Sequence, residues 1–329
     1  MNFNETLVKT AEQRGSIVCM GLDPVIEAMP SSFSERGIEG VVPFFESILE
    51  EMCRQGVYPG AFKPNAGFFL KHDEAISHRH FLGSEALSRV ITIFGDLKIP
   101  IILDYKRGDI AKSSLNYAHE GFGSWNADAV TVSPYMGSDS VGPFIETAMP
   151  RGGGVYILNR TSNPGAKDFQ NLLVIKDKRL YEELSNLTPE RSSVVGVDSY
   201  IVKALKNGIT PLYMAVAEKI VEWATGNPGV GAVVGATSLP ELEKLAKFYV
   251  ESERRIPLMI PGVGGQGGKA DEVVRVLGDA GYDLSIVRIN SSSDITHPWA
   301  KEKRAAPADY AKVCVANLAK LNETIAYNP

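Results

Sequence analysis

Three charged side chains lie close together in residues 101–114: Asp104, Lys106 and Asp109. They follow a short apolar run that is typical of a buried strand. Because alternate side chains of a strand share a face, Asp104 and Lys106 are predicted to point the same way at its carboxyl end. Asp109 follows a turn, where Asp commonly caps the next helix. Burying an ammonium between two carboxylates is costly unless every charge is paired, so the set predicts a functional site.

Polar residues also follow other predicted strands. Asp23 ends the first apolar strand, although a turn or cap residue would explain it equally well. Lys63 and Asn65 would share a face of the next strand, and a lysine in an apolar strand needs a partner. The competing interpretation is an edge strand with a solvated lysine, which Pro64 would permit.

Two loops are suited to ligand binding. Residues 261–268, Pro-Gly-Val-Gly-Gly-Gln-Gly-Gly, follow the seventh predicted strand and would let backbone N–H groups turn toward an anion. They lack the Lys-Ser/Thr ending of a P-loop, and a flexible loop that binds nothing is the alternative. The loop after strand seven is nevertheless where many barrels hold phosphate. After the fifth strand, Ser162 and Asn163 offer hydrogen bonds from a turn fixed by Pro164 and Gly165.

Eight apolar strands alternate with helices or helix-length segments. The strands are predicted near residues 16–22, 60–69, 101–106, 128–137, 155–158, 231–237, 257–260 and 284–289. The helices are predicted near residues 4–14, 38–56, 82–95, 111–124, 211–225, 239–252, 269–280 and 307–325. This pattern predicts an α/β fold, a (β/α)8 TIM barrel, with an open doubly wound sheet as the alternative. Residues 1–329 are expected to form a single barrel domain with a polar, irregular insertion at about 166–210.

The composition is that of an ordinary globular protein. The chain has 329 residues, 44% of them hydrophobic and 22% charged, and a net charge of −5 that argues against a nucleic-acid partner. No apolar run reaches membrane-spanning length, and residues 1–5 do not begin like a signal peptide, so no membrane partner is expected. The cysteines are Cys19, Cys53 and Cys314, which fit a reducing cytoplasmic location. The charged run at residues 301–304 is interpreted as surface charge.

One cluster has the composition of a metal site. His72, Asp73, Glu74, His78 and His80 lie close in sequence, and His78-x-His80 imitates a ligand pair of some barrel hydrolases. That pair ends a strand in those enzymes, whereas here it precedes a helix in a polar stretch. We therefore interpret the cluster as solvated surface and expect no metal.

Taken together, the motifs resemble those of the orotidine 5′-phosphate decarboxylase family. The matching segments are Leu-Asp-Pro at 22–24, Phe-Lys-Pro-Asn at 62–65, Asp-x-Lys-x-x-Asp-Ile at 104–110, Thr-Ser-Asn-Pro-Gly at 161–165 and the glycine-rich 261–268. Five motifs in the right order, on the right predicted strands, cover most of the chain. The length and the insertion resemble the longer, type 2 branch of that family.

The resemblance implies a role for each matching position. The catalytic residues would be Lys106, Asp104, Asp109 and Lys63. The substrate-binding residues would be Asp23 for the ribose, Ile110 and Ser113 beside the catalytic signature, Ser162 for the pyrimidine, and Gly264, Gly265 and Gln266 on the phosphate side.

One position departs from the family pattern. The family usually has an arginine after strand eight that grips the phosphate, and here Ser292 or Ser293 stands in its place. Arg288 lies a few residues upstream, although strand alternation does not guarantee that it reaches the site. Serine hydroxyls lack the bidentate charge-assisted pair of a guanidinium, so the phosphate grip is expected to be weaker.

The reaction implied by the resemblance is loss of CO₂ from C6 of orotidine 5′-monophosphate, giving UMP, without a metal or cofactor. Lys106 would stabilise the carbanion at C6 and then protonate it, with Asp104 near the departing carboxylate. Asp109 would help to hold Lys106 charged, because a nearby carboxylate favours the ammonium. In the family this aspartate acts in the partner's site, so a homodimer with shared sites is expected. Lys63 would extend the network to the ribose.

Three alternatives stay open at this point. A Schiff-base aldolase would use Lys106 or Lys63 as a neutral nucleophile, which flanking carboxylates disfavour. A phosphate-binding barrel with Mg²⁺, such as a sugar-phosphate acid decarboxylase, would depend on the metal. A non-catalytic nucleotide-binding relative is suggested by the missing arginine.

Overall fold

The computed structural model describes residues 1–74, 76, 81–176, 178, 181–182 and 208–328. Within these residues, eight parallel strands form the central sheet and two more form a small antiparallel sheet. The central strands are β1 (Val18–Gly21), β2 (Ala61–Lys63), β3 (Ile102–Arg107), β4 (Ala129–Val132), β5 (Gly154–Arg160), β8 (Val230–Val234), β9 (Leu258–Ile260) and β10 (Val287–Ser291). The small sheet pairs β6 (Leu173–Ile175) with β7 (Ile209–Pro211).

The central sheet closes on itself. Its strand order is β2-β1-β10-β9-β8-β5-β4-β3. The two end strands, β2 and β3, are joined by two parallel bridges, Phe62 to Ile101 and Asn65 to Asp104. Closure of eight parallel strands gives the predicted (β/α)8 barrel and excludes the open doubly wound sheet.

Helices of the described part of the chain cover the barrel. They are α1 (Phe3–Arg14), α2 (Ser31–Ser34), α3 (Val41–Gln55), α4 (Ala66–Leu70), α5 (Leu82–Gly95), α6 (Ala111–His119), α7 (Ser138–Ala148), α8 (Leu212–Ala224), α9 (Leu239–Glu251), α10 (Ala270–Asp279), α11 (Ser293–Thr296) and α12 (Tyr310–Ile325). In α3 the buried side chains recur every three or four residues, so one face packs on the barrel. In the described ranges, no helix has both the length and the apolarity needed to cross a membrane.

The predicted helices are found within a few residues of their expected ends, but three segments differ. The strand expected at 60–69 ends at Lys63, and Phe68 lies in α4, because the Asn65 side chain accepts a hydrogen bond from the Gly67 N–H and starts a helix. The last barrel strand begins at Val287, since residues 284–286 form a 3₁₀ turn. Helix α7 was not among the predicted helices, and it contains Pro143.

The predicted insertion begins and ends in an ordered structure. Leu173 pairs with Pro211 and Ile175 with Ile209, so the two ends of the 166–210 segment meet in the β6–β7 sheet. The expectation of a wholly irregular segment is therefore wrong at its ends. Most of its middle lies outside the described residues.

Candidate active site

A cavity of about 600 Å³ lies at the carboxyl ends of the barrel strands. Residues in or just after all eight strands of the central sheet line it, as expected for the functional face of a (β/α)8 barrel. Of the residues named from the sequence, it collects Asp23, Lys63, Asp104, Lys106, Ser162, Gly265, Gln266, Ser292 and Ser293. Its lining also includes residues that sequence reasoning did not single out, among them Phe68, Thr131, Asn290 and Asp294.

Asp104 is the centre of a buried charge network. Its Oδ2 lies 2.9 Å from the Lys63 Nζ, and its Oδ1 lies 2.5 Å from the Lys106 Nζ. Lys63 and Asp104 are almost fully buried, whereas the Lys106 side chain is 48% exposed and faces the cavity. The predicted pairing of Asp104 with Lys106 is thus present, and the second ammonium comes from the neighbouring strand β2.

Thr131 completes the hydrogen bonding of this carboxylate. Its hydroxyl donates to the Asp104 Oδ1 at 2.9 Å and accepts from the backbone N–H groups of Tyr105 and Lys106 at 3.1 and 3.0 Å. It therefore fixes both the carboxylate and the backbone that carries Lys106. Thr131 lies in β4, and no sequence motif distinguishes it from an ordinary strand threonine.

The two lysines determine the charge state of the network. Burial raises the pKa of Asp104, but the ammonium groups of Lys63 and Lys106 outweigh it and hold that pKa well below its usual range. Burial lowers the pKa of Lys63, yet the charges of Asp104 and Asp23 leave it above its usual value. Each group thus stabilises the charged form of the other, which is how a buried ion pair tolerates its desolvation.

The backbone around Lys106 is held in an unusual conformation. Lys106 and Ala111 have φ angles of +44° and +47°, in the left-handed region that non-glycine residues rarely adopt. Such strain persists only where the surrounding contacts fix the backbone, and it concentrates at functional sites. Here the bond from the Lys106 N–H to Thr131 supplies one of those contacts.

Asp109, Ile110 and Ser113 are not part of the cavity lining in the single chain. The Asp109 carboxylate accepts a hydrogen bond from the N–H of Ile110 at 2.7 Å. The N-cap residue of α6 is Ile110, and no side chain caps this helix. The idea that Asp109 caps this helix is therefore wrong. Ile110 is 49% exposed, so this turn presents an acid and an apolar side chain on the surface beside the site.

Asp23 follows β1 and contacts the backbone just after β2. Its Oδ1 accepts a hydrogen bond from the Asn65 N–H at 3.1 Å, and its charge contributes to the raised pKa of Lys63. Asp23 therefore lies on the cavity lining and also belongs to the electrostatic surroundings of the network.

The loop after β5 is tied to the first residues of the predicted insertion. The Gln170 side chain accepts from the Thr161 N–H and donates to the Thr161 hydroxyl, both at 2.9 Å. That hydroxyl donates to the Asn163 side chain at 2.7 Å. On the other side, the Thr237 hydroxyl donates to the Ser162 carbonyl at 3.0 Å, so the loop is held from two directions.

The glycine-rich loop after β9 folds back on itself. The Gly264 N–H donates to the Gly268 carbonyl at 2.8 Å, and Gly268 donates to the Gly262 carbonyl at 3.0 Å. Gly264 has a φ of +80°, and a Cβ there would lie 1.8 Å from the Asp294 carboxylate, so only glycine fits. Gly265 and Gln266 line the cavity, whereas Gly264 lies against Asp294 and is not itself on the lining.

Arg288 does not replace the missing arginine. Its side chain is fully buried, and its guanidinium donates to the carbonyls of Gly60, Leu7, Ser285 and Val287. These groups lie near the amino ends of the strands, on the side opposite the cavity. Arg288 therefore joins α1 to the base of the barrel.

The structure provides no metal-ligand cluster among the residues it describes. His78 and His80 lie outside the described residues. Asp73 accepts two hydrogen bonds from Ser84, at its N–H and hydroxyl, and so supports the start of α5. That carboxylate has a structural use within the fold.

The geometry therefore places a protonated lysine beside an ionised aspartate at one end of a cavity, and a glycine-rich loop at the other. Because these charges are already in place, such an arrangement can stabilise negative charge on a bound molecule without a prior proton transfer.

Known proteins are similar to this chain in sequence and in fold. A curated orotidine 5′-phosphate decarboxylase of Herpetosiphon aurantiacus is 34% identical over 281 residues, covering 84% of this chain and 85% of the relative. One of Natronomonas pharaonis is 32% identical over 329 residues, covering 99% and 98%.

The solved structure of Leishmania donovani UMP synthase superposes with a TM-score of 0.67 at 31% identity. The match covers 99% of this chain and 57% of that longer chain. The model of the orotidine 5′-phosphate decarboxylase / HUMPS family matches residues 17–297, and this chain belongs to that family.

Proposed function

We propose that this chain decarboxylates orotidine 5′-monophosphate to UMP without a cofactor, as a step of pyrimidine biosynthesis. Membership of the family supports the activity. The observation that carries it here is the Lys63–Asp104–Lys106 network on the cavity lining, because it supplies a fixed ammonium next to a fixed carboxylate.

Lys106 is the proposed acid. When CO₂ leaves C6, the electron pair of the broken carbon–carbon bond stays on that carbon, and the Lys106 ammonium stabilises it and then donates a proton to it. Asp104 pairs with the Lys106 ammonium and lies near the departing carboxylate. Electrostatic stabilisation must supply on the order of 20 kcal/mol, which requires charges that are in place before reaction.

The substrate is proposed to lie across the cavity. Its ribose contacts Asp23, its pyrimidine contacts Ser162, and its phosphate lies against the glycine-rich loop. The residues proposed for the phosphate end are Gly264, Gly265, Gln266, Ser292 and Ser293. A cavity of about 600 Å³ is in the range of small-molecule sites, which supports this placement.

We further propose a cytoplasmic homodimer in which Asp109 acts in the partner's site, beside Ile110 and Ser113. The exposed Ile110, together with exposed Tyr135 and Met136 on the next loop, supports an apolar contact surface beside the cavity. Residues 1–329 are proposed to form one domain, since both β1 and β10 belong to the closed sheet. The free thiols of Cys19, Cys53 and Cys314 support the reducing location.

The activity is tested by following the loss of ultraviolet absorbance of orotidine 5′-monophosphate, with and without EDTA. We expect turnover that EDTA does not change, and a loss of about 10⁴-fold or more in Lys106→Ala with the fold retained by circular dichroism. Lys320→Ala, at an exposed lysine on α12, is the matched control and should keep full activity.

Each alternative has a separate outcome in this assay. Loss of turnover with EDTA would indicate the metal-dependent barrel, and borohydride trapping of a candidate carbonyl substrate would indicate a Schiff base. UMP binding without turnover would indicate the non-catalytic relative.

Shared sites are tested by mixing two inactive variants. Lys106→Ala and Asp109→Ala should regain part of the activity through hybrid dimers, because one of the two sites in a hybrid keeps both residues. No recovery, with hybrids demonstrated by mass spectrometry, would contradict the assignment of Asp109 to the partner's site.

A further inference from the structure

Among the described residues, no cation lines the glycine-loop end of the cavity. The described lining residues there are Gly265, Gln266, Ser292, Ser293 and Asp294, of which only Asp294 carries a charge, and that charge is negative. The lysines of the cavity lining, Lys63 and Lys106, both pair with Asp104 at the opposite end. A phosphate dianion at this end would therefore need a positive charge from beyond the lining.

Lys301 lies next to this end. Its ammonium pairs with the Asp294 carboxylate. A Cβ placed on Gly265 would lie 3.7 Å from the Lys301 Cε and 3.5 Å from the Ser293 Oγ. The Lys301 side chain is 46% exposed, so its ammonium is free to move toward the cavity.

The turn that carries Lys301 is anchored to the barrel. Residues Pro298–Glu302 form a short 3₁₀ helix. Trp299 in it is almost fully buried and its indole N–H donates to the Ala28 carbonyl at 2.6 Å. The His297 N–H donates to the Ser293 carbonyl at 2.8 Å, which ties the turn to the serines that line the cavity. The backbone of Lys301 is thus held in place while its side chain keeps its freedom.

We propose that Lys301 is the phosphate-binding cation of this chain. It takes the role of the family's arginine, whose position is occupied here by Ser292 or Ser293. The inference rests on the proposed function, which puts the phosphate at the glycine-rich loop. Asp294 pairs with the Lys301 ammonium beside Gly265. When a phosphate arrives, the ammonium turns to it, and the serine hydroxyls and glycine N–H groups supply the remaining hydrogen bonds. Lysine acts as a point charge, so the pairing is not bidentate.

The test compares ligands with and without the phosphate. Calorimetric dissociation constants are measured for UMP and for uridine with the full chain, Lys301→Met, Lys301→Arg and Lys303→Met. Lys303 is exposed and lies outside the cavity lining, so it controls for the loss of one positive charge. We expect Lys301→Met to weaken UMP binding about tenfold or more, Lys301→Arg to restore most of it, and uridine binding to stay within twofold throughout.

Asp294→Asn separates binding from a merely structural role. If Lys301 binds phosphate, releasing it from Asp294 leaves UMP binding unchanged or tighter. If the pair only supports the turn, Asp294→Asn and Lys301→Met weaken UMP and uridine alike, and the proposal is overturned. An unchanged ratio of UMP to uridine affinity in Lys301→Met also overturns it. Failure of the proposed function would appear separately, as absence of orotidine monophosphate turnover in the unmodified chain.

Discussion

The two ends of the cavity hold their charges in different ways. At the end around Asp104, which we call the reaction end, the carboxylate is buried and both of its oxygens have fixed partners on neighbouring strands. At the other end, around Gly265 and Asp294, the contacts come from loops, and the Lys301 ammonium is half-exposed. We propose that the phosphate binds there and call it the phosphate end. The reaction end is preorganised, while the phosphate end can exchange partners as a ligand enters and leaves.

This difference matches the roles that we propose for the two ends. A charge that stabilises a transition state is most effective when it cannot reorganise. A charge that binds and releases a phosphate must give up its partner at a low cost, as exposed ion pairs do.

The same substitution at both ends gives the largest contrast. Asp104→Asn leaves Lys63 buried without a counter-charge, so we expect the free energy of unfolding to fall by about 3 kcal/mol or more and kcat to fall about 10³-fold or more. Asp294→Asn removes an exposed pair and should change the free energy of unfolding by less than about 1 kcal/mol. Urea unfolding and steady-state kinetics measure both, and equal losses in the two variants would refute the contrast.

Acid should affect the two ends in different pH ranges. Burial lowers the pKa of His297, beside the phosphate end, to about 4, against about 6.5 in an unfolded chain. The unfolded chain therefore binds the proton first, and stability is lost as pH falls from 6.5 to 4, by up to about 3 kcal/mol. The pKa of Asp104 lies below its usual range, so its contribution is lost only as pH falls below about 4.

The free energy of unfolding, measured as a function of pH from neutral to well below the usual pKa of a carboxyl group, checks this order. His297→Gln should reduce the dependence of the free energy of unfolding on pH between pH 6.5 and 4. His119→Gln, at an exposed histidine, should leave that dependence unchanged. A slope that persists in His297→Gln would show that another group titrates.

The smallest effect is expected between the two ends, at the loop that carries Ser162. Gln170→Ala removes both hydrogen bonds to Thr161, so the loop loses its support from the insertion side. We expect KM to rise about tenfold with kcat within a factor of about three. Gln170→Glu keeps an acceptor for the Thr161 N–H and should show a smaller rise. A fall in kcat with KM unchanged would place Gln170 in the reaction step instead.

The sequence predicted the reaction end better than the phosphate end. The pairing of Asp104 with Lys106 follows from the two-residue period of a strand, and Lys63 follows from its need for a partner. Thr131 was missed because a threonine in a strand carries no signal of its contacts. Its role depends on β3 and β4 being neighbours, which only the closed sheet reveals.

At the phosphate end the sequence indicated the course of the backbone and left the side-chain contacts open. The glycines indicated the loop that follows β9. Arg288, the nearest arginine, points to the base of the barrel. Lys301 is half-exposed, in keeping with its interpretation as surface charge, but its pairing with Asp294 was not predicted. The position of Lys301 depends on the anchoring of Trp299 to Ala28, two residues 271 positions apart, and no local pattern encodes such a contact.

The junction between β2 and β3 is spanned by only two backbone bridges, and the Lys63–Asp104 ion pair crosses it as well. The ion pair that we propose for catalysis therefore also links the two strands at which the barrel closes. A substitution of Asp104 that favours another reaction would also remove this link between β2 and β3, and a new link would be needed at the same time. We expect position 104 to resist gradual change for mechanical reasons as well as chemical ones.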